Sequence, residues 1–276
     1  MRLSILAPFA LSFLAATSLA ASSRDQEILA DAHRAQFDFR SGNYAAATPL
    51  VQKLEAAVEE SASNARLWEA LGHAYMSQQG SSLTTQPDMS KVIAIGERAR
   101  EAYARSLSLD PDNMLVRASH GMAQMVTSLL KGDGPGIAAG VDEMNASARQ
   151  APTTIGVRLT RAFTIIHLPP AMRDTDAVIG DFEYIMKAAP GGRPEDVLHL
   201  MLGDVHAEMG NLKTAREEYL QVSGASAFAL DQMKSRLADL EKGAVSPASI
   251  AQVRAGTGSG CAMCHAPGSD KPESGK

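Results

Sequence analysis

The feature that most constrains this chain is its apolar spacing between Asp25 and Lys242. Apolar residues recur there every three to four positions, and no strand alternation persists. A chain of 276 residues with 45% hydrophobic and 21% charged composition can bury a sizeable core. Only 5% of it is aromatic, with one Trp, and small side chains let helix axes approach closely. The spacing predicts about eleven helices, over 25–40, 44–61, 65–79, 90–109, 113–130, 135–150, 153–165, 175–189, 193–209, 212–222 and 226–242. Turn signals separate them: Ser41-Gly42-Asn43, Gly80-Ser81-Ser82, Asp110-Pro111, Gly132-Asp133-Gly134, Pro169-Pro170, Pro190-Gly191-Gly192 and Gly210-Asn211. The fold class is therefore all-α.

Within this pattern, Trp68, Leu71, Gly72 and Tyr75 form W-x2-L-G-x2-Y. Trp68, Leu71 and Tyr75 share a helix face, and Gly72 leaves room for a neighbouring helix. Ala99, Tyr103 and Pro111 follow as a second helix and its stop. Gly203, Gly210, Ala215 and Tyr219 repeat the arrangement, as do Gly42, Asn43, Tyr44, Ala47 and Val51 behind Ala35. Gly140, Met144 and Ser147 precede Pro152 as a second helix requires, and Pro190 echoes both prolines.

Over about 215 residues, 25–242, the chain resembles a tetratricopeptide repeat (TPR) protein. The resemblance implies a right-handed superhelical solenoid of antiparallel helix pairs, with 15 residues inserted around Gly80 to Pro87. A generic helical bundle is the competing architecture. The last helix, with Lys234, Arg236, Asp239, Glu241 and Lys242, would be a polar cap. In this family the first helix of each unit lines a groove, which places Arg66, Glu69, His73 and Met76 against a protein partner. The alternative is that these four are merely solvated.

The ends differ from the middle. Arg2, an apolar stretch from Leu3 to Ala16, and small Ser18 and Ala20 read as a signal peptide over 1–20, cleaved after Ala20. An uncleaved anchor is the alternative, and no later stretch is apolar enough to span a bilayer. The expectation is an exported, periplasmic protein. The net charge of −5 and the lack of any basic run argue against nucleic acid as a partner. From Gly243 the sequence turns rich in Gly, Ser and Pro and reads as a flexible tail over 243–276, with one short helix opened by Ser246-Pro247.

That tail holds both cysteines, in Cys261-Ala262-Met263-Cys264-His265. C-x-x-C-H is the attachment signature of haem c: each thiol adds to one vinyl group, and the adjacent imidazole reaches the iron. Gly260 to Gly268 resembles the opening of a c-type cytochrome domain. The resemblance implies cofactor attachment at Cys261 and Cys264 and iron ligation by His265. Only eleven residues follow His265 and none is His or Met, so a sixth ligand would come from the helical body, such as His73 or His206, or from a partner. A disulfide, a redox dithiol and a zinc site remain open alternatives for the same residues. The other histidines, His33, His120, His167 and His199, are scattered, and His199 and His206 stand seven apart on one helix. The 13 methionines read as core filler. No catalytic acid, base or nucleophile stands out, so the expected role is electron transfer or haem presentation and not enzymatic. The competing role is a haem-free scaffold with a disulfide.

Overall fold

The computed structural model describes residues 23–40, 47–84, 88–243, 245 and 250. These form eleven α-helices and no strand: α1 Ser23–Arg40, α2 Ala47–Glu60, α3 Ala65–Thr84, α4 Met89–Leu109, α5 Met114–Lys131, α6 Gly134–Gln150, α7 Ile155–Ile165, α8 Thr175–Ala188, α9 Gly192–Glu208, α10 Leu212–Tyr219 and α11 Ala227–Glu241. The expected all-α class and helix pairing are both present. The signal-peptide segment 1–20 and the C-x-x-C-H motif lie outside the described residues.

Side-chain caps start five of the helices. Carboxylate or amide oxygens of Asp88, Asn113, Asp133 and Asp174 accept first-turn N–H groups, and the Ser226 hydroxyl does the same for α11. The ends are set as regularly. Helices α4, α6 and α8 each stop two residues before Pro111, Pro152 and Pro190.

Contacts between neighbouring helices show their direction. Across α3 and α4, Ser106 Oγ donates to the Ala65 carbonyl at 2.9 Å and Gln79 Nε2 to the Val92 carbonyl at 3.2 Å. One pair joins the start of α3 to the end of α4 and the other does the reverse, so the helices are antiparallel. Tyr75–Glu55 and Gln78–Thr48 show the same for α2 and α3. His120–Glu143 and the approach of Gly121 to Gly140 show it for α5 and α6. Beyond these neighbours, α1 packs on α3, α5 on α7 and α9 on α11.

Two apolar clusters make up most of the core. One joins α1–α4 and the start of α5 around Leu54, Leu67 and Tyr103. The other joins α5–α11 around Met144, Phe182, Leu200 and Tyr219, and includes Val245 and Ile250 beyond α11. Chain past Gly243 therefore packs back on the body at those two points.

Two sequence expectations need correction. The expected turn Gly80-Ser81-Ser82 is helical, and α3 runs on to Thr84. The insertion lengthens the hairpin, because the buried Gln79 side chain bonds the backbone of α4 and sits over Gly96. Arg236 is not on a polar outer face. It is fully buried, with its guanidinium on Asp204 of α9 at 2.7 Å.

Candidate functional site

The repeating unit is a ring or long side chain of one helix laid over a small residue of its partner. A Cβ on Gly72 would lie 2.6 Å from the Tyr103 ring, and one on Gly203 would lie closer still to Tyr219. Met144 takes the same place beside Gly121. In the α7–α8 pair Phe182, eight residues before Pro190, is buried edge-on to Phe163 at 5.3 Å. The sequence had shown only the echo of that proline.

The residue after each small position then meets the buried hydroxyl. Tyr103 Oη and His73 Nδ1 are 2.7 Å apart, with the rings edge to face. Tyr219 Oη donates to Asp204 Oδ1 at 2.8 Å, and Arg236 holds the same carboxylate. Burial raises the pKa of both phenols well above 10. The nearby Glu69 charge adds to this at Tyr103, and Asp204 adds to it at Tyr219. Burial first, and the hydrogen bond to Glu55 second, raise Tyr75 in the same way.

The four residues expected to line a groove divide unequally. Arg66 is exposed, while Glu69, His73 and Met76 are half-buried. His73 is committed to Tyr103 and lies 3.8 Å from Glu69, and Met76 packs on the N-terminal core. Other candidates at corresponding positions of the next odd-numbered helices were missed. Leu115, Met122 and Val126 of α5, with Leu159 and Phe163 of α7, are half-buried and apolar. Gly156 of α7 approaches Leu115, so the two helices run side by side at that point. Counting from Gly121 as from Gly72 would have found Leu115 and Met122, though not Val126.

Charged groups inside the C-terminal half are paired. Asp181, fully buried on α8, accepts from Arg161 Nε and Nη2 and from Arg158 Nη1, each at 2.7 Å. Arg161 also donates to Asn145 of α6, which joins the same helix contact. Asp196 accepts from the backbone N–H groups of Ser223, Gly224 and Ser226, fixing the α10–α11 connection.

Of the two body histidines named as iron ligands, His73 is engaged as described. His206, on the last turn of α9, is half-exposed, and its Nδ1 is buried without a hydrogen-bond partner among the described residues. Cys261, Cys264 and His265 lie outside those residues. No group of three His, Cys, Asp or Glu side chains that could hold a metal occurs among the described residues. No helix among them is long and apolar enough to cross a membrane. An open cleft of about 380 Å³ lies between α10 and α11, lined by Leu212, Lys213, Arg216, Leu240 and Glu241.

No protein-family model matches the chain, and no curated protein matches it. Among solved structures, the chain is similar to MamA AMB-1 at 19% identity and a TM-score of 0.43 over 71% of this chain and 96% of that one. The geometry of the helix pairs, and not this likeness, defines the class: an all-α array of antiparallel helix pairs, three of them closed by a large side chain over a glycine.

Proposed function

We propose that the chain is an exported, non-enzymatic docking protein that carries one haem c on its C-terminal segment. Docking rests on the apolar strip formed by Leu115, Met122 and Val126 beside Leu159 and Phe163, which suits the apolar face of a protein partner. Haem attachment rests on Cys261, Cys264 and His265 together with the export-type N-terminus.

The chemistry of the donor set fits the group. Cys261 and Cys264 would hold the group through two thioethers, and His265 would supply an imidazole to its iron. Bound haem contributes a one-electron couple. The body holds the partner, and the tail keeps the cofactor within reach of it. Such a carrier needs no acid, base or nucleophile.

The test is the intact mass of protein exported by a host that matures c-type cytochromes. The expected result is the polypeptide from Ala21 plus one haem, with colour that survives denaturation and acid-acetone extraction. A colourless chain lighter by two hydrogens is the disulfide scaffold and ends the haem reading. Retention of Met1–Ala20 ends the cleaved-export reading.

A further inference from the structure

The α10–α11 pair is fastened at one end and open at the other. Asp196 holds the connection between the two helices through the N–H groups of Ser223, Gly224 and Ser226. The buried Arg236–Asp204 ion pair ties the second half of α11 to α9 and not to α10. The start of α10 and the end of α11 are thus left facing each other across the cleft of about 380 Å³. That volume lies at the small end of the range for small-molecule sites.

The charges in this cleft are divided between its walls. Lys213 and Arg216 come from α10, and Glu241 comes from α11. Leu212 and Leu240, both half-buried, supply the apolar surface. Other exposed charges nearby pair along their own helix: Lys213 lies 3.8 Å from Glu217, Lys234 lies 4.0 Å from Asp231, and Lys242 lies 3.4 Å from Asp239. Arg216 and Glu241 do not. Both are exposed, and neither side chain has an ion pair or hydrogen bond among the described residues. They line one cleft with opposite signs and do not close on each other. The helix dipoles act in the same sense, because a helix start carries partial positive charge and a helix end partial negative charge.

A ligand that answers every wall carries an anion toward α10, a cation toward α11 and an apolar side. A purely anionic ligand would be opposed by Glu241. A purely apolar one would take three charges out of water without a partner. We propose that the α10–α11 cleft binds a small zwitterion of the α-amino acid class with an apolar side chain, as the free amino acid or as a short apolar peptide. Its carboxylate meets Arg216 and Lys213, and its ammonium meets Glu241. The site is independent of haem attachment and of the apolar strip on α5 and α7.

The test uses the full exported chain, with binding read from amide shifts in two-dimensional nuclear magnetic resonance titrations. The probes are leucine and leucyl-leucine, each also in its N-acetyl and C-amide forms. The expected result is saturable shifts at Leu212, Lys213, Arg216, Leu240 and Glu241, with a dissociation constant on the order of millimolar. Removing either charge from the probe should weaken binding about two- to fivefold. Arg216→Gln should abolish the preference for the free carboxylate over the amide and keep the preference for the free amine. Glu241→Gln should do the reverse. Each preference is a ratio taken within one variant, so a change in folding does not imitate it. Lys91→Gln, at an exposed side chain on α4, should alter neither ratio. The tighter of the two parent probes assigns the ligand to the amino acid or to the peptide. No saturable shift at these five residues with either parent overturns the site. Acetyl and amide forms that bind as well as their parents, or preferences that survive both substitutions, overturn the charge assignment. A haem-free chain that still binds ends the haem reading and leaves this proposal standing.

Discussion

The α3–α4 and α9–α10 pairs are built on the same packing and finished in opposite ways. Both lay a tyrosine over a glycine, Tyr103 on Gly72 and Tyr219 on Gly203. In the first, the hydroxyl meets the half-exposed ring of His73, with Glu69 nearby. In the second it meets Asp204, whose charge is matched by fully buried Arg236 from α11. The N-terminal pair is thus closed by a polar contact at the edge of water, and the C-terminal pair by an ion pair that a third helix brings in. A buried carboxylate is tolerated only while its partners are in place, so α11 is tied to its neighbours by more than apolar contact.

The largest expected effect tests that difference. Arg236→Met removes the cation that balances the buried Asp204 carboxylate and should cost about 3–5 kcal/mol. For a body of this size that lowers the thermal midpoint on the order of 10 °C. Replacing both residues, Asp204→Leu with Arg236→Met, should recover most of the loss, because two apolar side chains leave no charge uncompensated. If the double variant melts no higher than the single one, the ion pair is not what distinguishes the two ends.

The glycines come next. Gly203→Ala and Gly72→Ala each push a Cβ into a ring, at a typical cost of about 1–3 kcal/mol. The two should not be equal. Tyr219 is pinned at its hydroxyl by a buried, ion-paired carboxylate, whereas the Tyr103 hydroxyl meets the half-exposed ring of His73. Denaturant midpoints should place Gly203→Ala as the more damaging change, and the reverse order would show that ring mobility does not decide the cost.

How much of this was legible depends on sequence separation. The glycine–tyrosine pairs were readable because a small residue, a second small residue and a ring recur at fixed spacings, and each spacing has a steric reason. The α7–α8 pair was harder, because Phe182 stands at the tyrosine's spacing before Pro190 and only that proline marked it. Arg236 was misjudged for a different reason. Its partner Asp204 lies 32 residues away on another helix, and local pattern does not reveal which charged residue a third helix will bury. The α3 extension was misread because Gly80-Ser81-Ser82 has turn chemistry, yet Gln79 makes the longer hairpin worthwhile through a backbone bond on α4. Of the residues expected to line a groove, His73 is bonded to Tyr103 and Met76 packs on the N-terminal core. Cys261, Cys264 and His265 were legible as chemistry alone, since they lie outside the described residues.

Alkaline pH should probe both pockets together. Tyr103 and Tyr219 have folded pKa values raised above the ordinary 10, chiefly by burial. Between about pH 10 and those raised values the unfolded chain has lost protons that the folded chain keeps, so stability falls as pH rises. Below pH 10 both states are protonated, and the stabilising contribution is present in full. Each phenol contributes up to about 1.4 kcal/mol per pH unit to the slope. Tyr219→Phe and Tyr103→Phe should each flatten the decline of melting temperature above pH 10. A wild-type slope unaltered in both variants would assign the alkaline loss to other groups.

The smallest effect belongs to His73, and it separates a structural role from a docking role. His73→Ala removes one hydrogen bond from Tyr103 at a half-exposed position, which should cost about 1 kcal/mol or less. Tyr103→Phe removes the same bond from the other side. If that bond is all His73 provides, the double variant should be no less stable than the worse single one, as measured by a double-mutant cycle. A strictly additive cycle would mean that the two residues act separately, which would free His73 for the partner-facing role that its place on α3 first suggested.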